Sequence, residues 1–336
     1  MKIAIDAMGG DNAPSIVIEG VSMALKNYND FEAIIVGHEE KISSYIAEFG
    51  LTNHSRVTIV HADEVVEMGE PSTAALRSKK RSSITVAATL VAKGKADAVV
   101  SAGHTGAAVA ATKVKIRTMP GIERPAIATI MPAKGGHFIL CDAGANTDCK
   151  PENLAQFAIM AEAYSKLTFG IEEPKIGLLS VGEEDAKGNE LTKETFKILS
   201  EMPINFIGNV EGNDMFAKKA DVVVCDGFVG NVVLKTSEGL AKTIMFWLKE
   251  SFTKRVIRKI GAILAKGAFN DLRALSDKNE YGGAPLLGLK KPCIIGHGSS
   301  NPTAIMNAIR VASEFVKADI NGKIAQKITE SDISID

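Results

Sequence analysis

Short apolar runs that end in glycine and small polar residues recur along most of this 336-residue chain. Between most of them lie stretches with the apolar spacing of a helix. This alternation predicts an α/β fold with a doubly wound sheet and helices on both faces. The predicted strands begin at Lys2, Glu32, Arg56, Asp97, Ala126, His137, Lys175, Ile204, Asp221 and Pro292.

The first run, MKIAIDAMGGDNAP, places two glycines between Asp6 and Asp11. The spacing is neither G-x-G-x-x-G nor a Walker loop, because no Gly-Lys-Ser/Thr follows. We interpret both carboxylates as organisers of the loop, with a divalent-ion role as the less favoured alternative. Six further strands end in similar loops: SAGHTGA, DAGANTD, SVGEEDAKGNE, GNVEGND, DGFVGN and GHGSSN.

Ligands in open α/β sheets bind outside the carboxyl ends of the strands. Glycine lets backbone N–H groups approach an anion, and a helix that begins there adds the positive end of its dipole. We therefore expect the seven loops to line one shared cleft that holds a phosphate-like anion. The residues expected to bind it are Gly9, Gly10, Ser101, Gly103, Thr105, Gly106, Gly298, Ser299, Ser300 and Asn301.

Three side chains in these loops are candidates for catalysis. His297 could donate to an anion, or tie two loops together as a structural histidine. Lys187 could offset phosphate charge, or form a surface ion pair with the neighbouring acids. Asn231 could donate to an oxyanion, or cap the helix that follows, which is the interpretation we favour.

The composition of the chain bears on nucleic-acid binding, on metal sites and on the cellular setting. The formal net charge of −1 gives no general basis for binding nucleic acid. No two of the four cysteines form C-x-x-C, so we expect no zinc site, and we expect no other metal or cofactor. Cys141, Cys225 and Cys293 lie in apolar runs typical of a core. We expect a reduced, cytoplasmic setting, because Asp6 interrupts any signal-peptide core and no apolar stretch is long enough to span a membrane.

The alternation of strands and helices stops over residues 232–277, which we predict to be a long helical element broken near Gly261 or Gly267. Apolar residues repeat there at helical spacing beside several lysines and arginines. The pattern alone favours a dimer or core helix with a solvated basic face over a helix on an anionic membrane. The residues assigned to membrane contact are Val256, Ile257, Ile260, Ile263 and Leu264.

Taken in chain order, the motifs resemble those of the bacterial phosphate acyltransferase family. The similarity runs from Lys2 to about Val316 and includes IDAMGGDNAP, SAGHTGA, DAGANTDCKPENLAQFA, GEEDAKGNELTKE, IGNVEGND, ADVVVCDGFVGNVVLKT, EYGGAPLLG and IIGHGSSN. The family pattern commonly has Asn where this chain has His104, and Thr where it has Cys225.

The resemblance implies a three-layer fold related to isopropylmalate dehydrogenase and phosphotransacetylase. It implies a single α/β domain over residues 1–336, with residues 232–277 projecting for dimer or membrane contact. It also implies a homodimer that transfers a fatty acyl group from acyl carrier protein to inorganic phosphate. The acyl phosphate would supply phosphatidic acid synthesis through a membrane-bound glycerol-3-phosphate acyltransferase, which raises the expectation of peripheral contact between the basic helix and an anionic membrane.

The implied chemistry suits these residues. Phosphate is already a nucleophile near neutral pH, a thiolate leaves readily, and no G-x-S-x-G motif is present. Such a site must position phosphate and stabilise charge. A nicotinamide-dependent oxidoreductase on the related fold and a non-catalytic membrane-associated scaffold remain alternatives. A basic patch, either Lys79, Lys80 and Arg81 or the Lys254–Lys259 cluster, would steer the acidic carrier protein.

Overall fold

The computed structural model describes residues 1–67, 69–71, 77–269 and 281–330, so the end of the predicted helical element, 270–277, lies outside the described residues. The strands are β1 Lys2–Asp6, β2 Glu32–Gly37, β3 Val57–His61, β4 Ala98–Ser101, β5 Ala126–Ala133, β6 Gly136–Cys141, β7 Ile176–Leu179, β8 Phe206–Val210, β9 Val222–Val224, β10 Ala284–Leu287 and β11 Cys293–Ile295. Every predicted strand is confirmed, and β10 is an addition.

The helices fall between and after these strands. They are α1 Ser15–Asn27, α2 Glu39–Glu48, α3 Ser83–Ala92, α4 Thr105–Lys115, α5 Pro151–Phe169, α6 Glu190–Glu201, α7 Gly212–Phe216, α8 Gly227–Thr253, α9 Val256–Leu264, α10 Pro302–Lys317 and α11 Ile320–Glu330.

The described strands form one sheet in the order β3-β2-β1-β4-β11-β10-β5-β6-β9-β7-β8. The strands from β3 to β11 in this order are parallel to one another, and so are β6, β9, β7 and β8. Between the two groups lie three antiparallel pairings, β11 with β10, β10 with β5, and β5 with β6. Three reversals leave the two parallel groups pointing in opposite directions. The register nevertheless places their carboxyl ends at nearly the same level, because Cys141 at the end of β6 pairs with Ala128, and Ile294 near the end of β11 pairs with Pro285 on the strand beside it.

Helices cover both faces of the sheet, and the expected three-layer fold is confirmed. Ile3 and Ile5 of β1 pack into a core with α1, α5 and α10, whereas Ala4 packs into a second core with α3 and α4. This near-continuous burial is what a strand covered on both faces requires. Burying each isoleucine side chain contributes about 1.5–3 kcal/mol relative to leaving it in water.

The helical element begins directly after β9 as α8 and continues as α9. The main break lies at Lys254 and Arg255, because Arg255 has extended backbone angles. Of the two predicted places for a break, Gly261 lies inside α9, whereas an interruption does occur two residues before Gly267. A second interruption falls at Ala265, the residue after α9. No residue of α9 is buried.

Candidate active site

The reversal of strand direction divides the glycine-rich loops into two clusters. The first loop cluster contains the loops after β1, β4 and β11, which are residues 7–14, 102–104 and 296–301. The second loop cluster contains the loops after β6, β7, β8 and β9, which are residues 142–150, 180–189, 211 and 225–226. The two clusters follow strands of opposite direction, and the expectation that all seven loops line one shared cleft stays a prediction.

Asp6, the last residue of β1, is the buried centre of the first loop cluster. Its carboxylate accepts hydrogen bonds from Ser101 Oγ at 2.7 Å and from the backbone N–H of Met8 at 3.2 Å. Ser101 Oγ in turn accepts from the N–H of Gly103 at 3.2 Å. Burial raises the pKa of Asp6, and the hydrogen bonds offset only part of that rise. Asp6 thus organises the loops, as we interpreted it from the sequence.

Glycines allow the three loops of this cluster to touch. A Cβ on Gly9 would lie 2.7 Å from the backbone nitrogen of Gly103, closer than side chains tolerate. Gly10 has a φ of +121° and packs against the carbonyl of Gly298. The N–H of Asp11 donates to that same carbonyl at 2.8 Å. The predicted phosphate-binding glycines Gly9, Gly10, Gly103 and Gly298 are therefore brought together.

The GHGSSN loop ends in a well-formed helix start. Asn301 caps α10 by accepting a backbone hydrogen bond at 2.8 Å, and Pro302 occupies the first turn. The N–H and Oγ of Ser299 lie 3.1 and 2.9 Å from Nδ1 of His297. The N–H of Ser300 donates to the carbonyl of His297 at 2.9 Å. His297 and Ser299 are exposed, whereas Ser300 is buried.

A second helix begins in the first loop cluster. Thr105 and Gly106 are the first residues of α4, and His104 caps this helix by accepting a hydrogen bond from the N–H of Ala107 at 3.2 Å. The positive dipole ends of α4 and α10 both lie at this cluster, which favours an anion there. The capping role of His104 was not predicted, although its place before a helical run was the available signal.

The space beneath these loops is too small for phosphate. A cavity of about 10 Å³, enough for about one water molecule, is lined by Asp6, Met8, Gly9, Val65, Val66, Ser83, Ile84, Ser101, Gly103, His104 and Ala107. Any anion held by these loops would therefore lie on their solvent side, where His297 and Ser299 are exposed. A wider surface pocket of about 530 Å³ lies at the ends of β2 and β3, but Glu39 and Glu40 line it and disfavour an anion.

Asp142 organises the second loop cluster in the way that Asp6 organises the first. Its buried carboxylate accepts hydrogen bonds from the N–H groups of Ile127, Gly144, Ala145 and Asn146 and from Nδ2 of Asn146. Burial raises the pKa of Asp142, and these donors offset part of the rise. The two carboxylates hold the loops that follow strands of opposite direction.

Asn231 lies in the first turns of α8, not at its cap. Asp226 is the cap, because its Oδ1 accepts from the N–H groups of Phe228 and Val229 at 2.9 and 3.0 Å. The interpretation that we favoured for Asn231 is therefore wrong. Asn231 is exposed, and its Cβ lies 3.4 Å from where a Cβ on Gly144 would be. Its side chain remains available as a hydrogen-bond donor beside the second loop cluster.

Lys187 lies in the loop after β7 and belongs to the second loop cluster. Its N–H donates to the carbonyl of Glu184 at 2.9 Å, and its side chain is exposed. Glu183, a candidate partner in the sequence, instead pairs with Lys219 at 2.5 Å. Among the described residues Lys187 forms no ion pair. The structure therefore contradicts the alternative that Lys187 pairs with a neighbouring acid at the surface.

Helix α8 links the two clusters. It begins in the second loop cluster, and Nζ of Lys235 lies 3.2 Å from Nε2 of His297 in the first. Asn231 and Lys235 are four residues apart and so share one face of the helix. The sequence analysis missed Lys235, although its place about two helical turns after the DGFVGN loop was an available signal.

The cysteines are poorly suited to act as nucleophiles. Burial raises the pKa of the Cys141 and Cys225 thiols well above the ordinary value of 9.0. Burial also raises the pKa of Cys149 and that of Cys293 to about 12. The thiolate is the reactive form, and at neutral pH these groups stay protonated.

Comparison with known sequences identifies the family. A family model described as "Fatty acid synthesis protein" matches residues 1–323. A phosphate acyltransferase of Thermodesulfovibrio yellowstonii is 50% identical over 99% of this chain and 95% of its own length. A phosphate acyltransferase of Nitratiruptor sp. is 49% identical over 98% of each chain. The chain belongs to the phosphate acyltransferase family. The sequence resemblance is confirmed, as is the expectation of an enzyme, an acyltransferase of fatty acid and phospholipid synthesis.

Solved structures support the fold of this phosphate acyltransferase family member. A phosphotransacetylase from Streptococcus pyogenes matches with a TM-score of 0.56 and 21% identity, over 98% of this chain and 94% of that one. A branched-chain phosphotransacylase from Enterococcus faecalis matches with a TM-score of 0.57 and 16% identity, over 94% and 99%. The expected phosphotransacetylase-like fold is confirmed.

Two features are absent from the described residues. Within them, no helix is both long enough and apolar enough to cross a membrane. In the same part of the chain, no group of three or more His, Cys, Asp or Glu side chains is placed to hold a metal ion.

Proposed function

We propose that this protein transfers a fatty acyl group from the thioester of acyl carrier protein to inorganic phosphate. The products are an acyl phosphate and the free thiol of the carrier protein. The observation that carries the proposal is the first loop cluster itself: three glycine-rich loops in contact, at the starts of α4 and α10, with His297 and Ser299 exposed to solvent. Backbone N–H groups and helix starts are ready-made phosphate ligands.

The reaction requires the site to position phosphate and the thioester rather than to activate phosphate as a nucleophile. A phosphate oxygen attacks the thioester carbonyl carbon, and the C–O bond forms as the carbonyl oxygen takes up negative charge. When the carbonyl re-forms, the C–S bond breaks and the thiolate leaves. A thiol has a pKa of about 8.5, so the thiolate then takes a proton from solvent without a dedicated acid. The site therefore has two tasks, which are to hold phosphate and to donate to the developing oxyanion.

The candidate residues divide these tasks between the clusters. His297, Ser299 and the start of α10 hold phosphate at the first loop cluster. Asn231, one turn of α8 from Lys235, donates to the carbonyl oxygen of the thioester. Lys187 is exposed in the second loop cluster, to which Asn231 is also adjacent, and its positive charge offsets the negative charge of phosphate. The raised thiol pKa values support direct transfer to phosphate without an acyl-cysteine intermediate.

The projecting helices supply the contacts that a lipid-synthesising enzyme needs. Five apolar side chains of α9 are 54–83% exposed, namely Val256, Ile257, Ile260, Ile263 and Leu264. Arg255, Arg258 and Lys259 lie beside them, so α9 suits the surface of an anionic membrane. There the acyl phosphate would pass to a glycerol-3-phosphate acyltransferase. Leu240, Ile244 and Trp247 of α8 are also exposed and suit a second copy of the chain in a homodimer.

Two basic patches were considered for binding the carrier protein. Fewer of the basic side chains in the Lys254–Lys259 cluster are paired with acids. Nζ of Lys79 donates to the carbonyl of Val65 at 2.7 Å and pairs with Glu70, and Arg81 pairs with Asp63 at 2.5 Å. In the Lys254–Lys259 cluster, Lys254 alone pairs with an acid among the described residues. We therefore favour the Lys254–Lys259 cluster for steering the acidic carrier protein.

The proposal is tested with purified protein, long-chain acyl carrier protein and inorganic phosphate. We expect loss of the thioester only when phosphate is present, together with a product that hydroxylamine traps as a hydroxamate. Sulfate in place of phosphate is the matched control, because it has the same shape and is a poor nucleophile. Thioester loss that does not depend on phosphate would reject the proposal. Saturable quenching of reduced nicotinamide fluorescence would instead favour the oxidoreductase alternative.

A further inference from the structure

One exposed face of α8 is directed toward the first loop cluster. Phe228, Val232 and Lys235 are spaced by four and three residues, so they share this face. Nζ of Lys235 lies 3.2 Å from Nε2 of His297, which belongs to the first loop cluster. The face that carries Phe228 and Val232 is therefore turned toward that cluster, although α8 itself begins in the second.

The opposite side of α8 lies over the boundary between the two halves of the sheet. Leu234 packs against the core that contains Val99 of β4 and also against one that contains Val223 of β9. β4 belongs to one parallel group of strands and β9 to the other. Helix α8 therefore crosses from one half to the other, and its exposed face borders the space between the two loop clusters.

Apolar side chains are grouped beside this space. Phe228 is 62% exposed, Val232 is 49% exposed, and Val181 in the loop after β7 is 82% exposed. The strands that precede Val181 and α8 are parallel neighbours, since Leu178 of β7 pairs with Val224 of β9. Val181 therefore lies at the same end of the sheet as the start of α8. Exposed apolar side chains grouped at a candidate active site indicate a site for an apolar ligand.

We infer that the fatty acyl chain of the thioester lies along Phe228 and Val232, and that Phe228 determines which chain lengths are accepted. This inference rests on the proposed function, in which Asn231 donates to the thioester carbonyl. Asn231 adjoins Val232 and is three residues from Phe228, less than one helical turn. A chain attached to that carbonyl begins beside these side chains, and covering them removes apolar surface from water. Val181 extends the apolar surface at the start of α8.

The proposed contact with a second copy of the chain uses a different face of α8. Leu240, Ile244 and Trp247 are spaced by four and three residues and so lie together. At 3.6 residues per turn, their face is rotated by about 100° from the face of Phe228 and Val232. A homodimer formed through those three side chains therefore does not account for the exposed apolar surface at the start of the helix.

The test compares short and long chains in Phe228→Ala and in a matched control. The control is Phe246→Ala, because Phe246 is 63% exposed and lies on the same helix about five turns from Phe228. Binding of butyl phosphate and of decyl phosphate is measured by calorimetry. The ratio kcat/KM is measured separately with butyryl and decanoyl acyl carrier protein. Circular dichroism and the unfolding midpoint verify folding, and sedimentation gives the oligomeric state.

We expect Phe228→Ala to weaken binding of decyl phosphate about tenfold and to leave binding of butyl phosphate nearly unchanged, because the longer chain covers more of the ring. The preference for decanoyl over butyryl carrier protein should fall by a similar factor. Phe246→Ala should match the unmodified protein in both measurements.

Unchanged affinity for decyl phosphate in folded Phe228→Ala, or an equal loss for both chain lengths, would overturn the inference. Loss of self-association with an unchanged chain-length preference would assign Phe228 to a contact between copies and would overturn it as well. Because alkyl phosphates carry no thioester and bind without turnover, the calorimetry tests the inference even if the acyl transfer itself is disproved.

Discussion

Ser101 Oγ donates a hydrogen bond of 2.7 Å to Asp6 Oδ2 and so ties the end of β4 to the end of β1 beneath the first loop cluster. Both residues are buried, and 95 positions separate them in the chain. The bond forms because β1 and β4 are adjacent parallel strands whose last residues pair in register. It fixes the relative position of two loops that we propose to hold phosphate.

Ser101→Ala should destabilise the protein by about 1–3 kcal/mol, because a buried carboxylate loses a donor and gains no water. Denaturant unfolding followed by circular dichroism measures the change. Ser43→Ala is the control, since Ser43 Oγ bonds an exposed backbone carbonyl on α2 and its loss should cost little. Equal losses of stability in the two variants would show that the Asp6–Ser101 hydrogen bond does not specifically stabilise the first loop cluster.

Gly9→Ala should prevent the first loop cluster from closing. The added Cβ would lie 2.7 Å from the nitrogen of Gly103 and 2.9 Å from its Cα, and backbone atoms cannot move aside as a flexible side chain can. We expect loss of phosphate binding and of turnover, with the remaining sheet intact by circular dichroism. Gly212→Ala is the matched control, because a Cβ there meets no atom within 4 Å. Full activity of Gly9→Ala would contradict the close packing of these loops.

The raised pKa of Asp6 predicts a pH-dependent contribution to stability. The folded state holds the Asp6 proton more tightly than the unfolded state does, because burial penalises the charged form. The contribution is fully present below the ordinary pKa of 3.8 and is lost as the pH rises through the raised value. Asp6→Asn cannot ionise, so we expect the unmodified protein to lose stability relative to this variant as the pH rises.

The measurement for this prediction is a series of urea unfolding curves of both proteins from about pH 4 to about pH 8. Asp142 also has a raised pKa, but it is present in both proteins and cancels in the difference. A difference that does not change with pH, or that changes in favour of the unmodified protein as the pH rises, would disprove a raised pKa for Asp6.

Membrane contact through α9 predicts that Ile260→Glu abolishes flotation of the protein with anionic lipid vesicles. Ile260 is 54% exposed, and a charge in its place cannot enter the acyl region of a bilayer. Val114→Glu provides the matched control, since Val114 is an apolar residue of α4 that is 57% exposed and lies on the body of the protein. Retained flotation of Ile260→Glu, or equal loss in both variants, would rule out α9 as the contact.

Much of the fold followed from local pattern. Apolar runs bounded by glycine predicted ten strands, because strands of a sheet covered on both faces are apolar along their length. The short strand β10 was missed, since its four residues, APLL, include a proline, which disfavours a strand. It takes part in two of the three antiparallel pairings that reverse the direction of one half of the sheet. No local pattern reports strand direction, so the division of the loops into two clusters could not be predicted.

In the candidate site, features that depend on local sequence were predicted, and contacts between distant positions were not. Asn301 and Pro302 were recognised as a helix start because capping chemistry is local. Asn231 was misassigned because Asp226, which caps α8, lies in the loop after β9 and was interpreted only as part of that loop. Lys235 was missed because its contact with His297 joins positions 62 residues apart and depends on the path of α8 across the sheet. Contacts of this kind are determined by tertiary packing.

The central claim is that the first loop cluster binds the phosphate that attacks the thioester. The most direct test is a crystal structure of the protein soaked with inorganic phosphate. The account predicts phosphate on the solvent side of the loops after β1, β4 and β11, in contact with Ser299 and with Nε2 of His297. Phosphate bound elsewhere, together with full turnover in a Ser299→Ala, Ser300→Ala double variant, would contradict it.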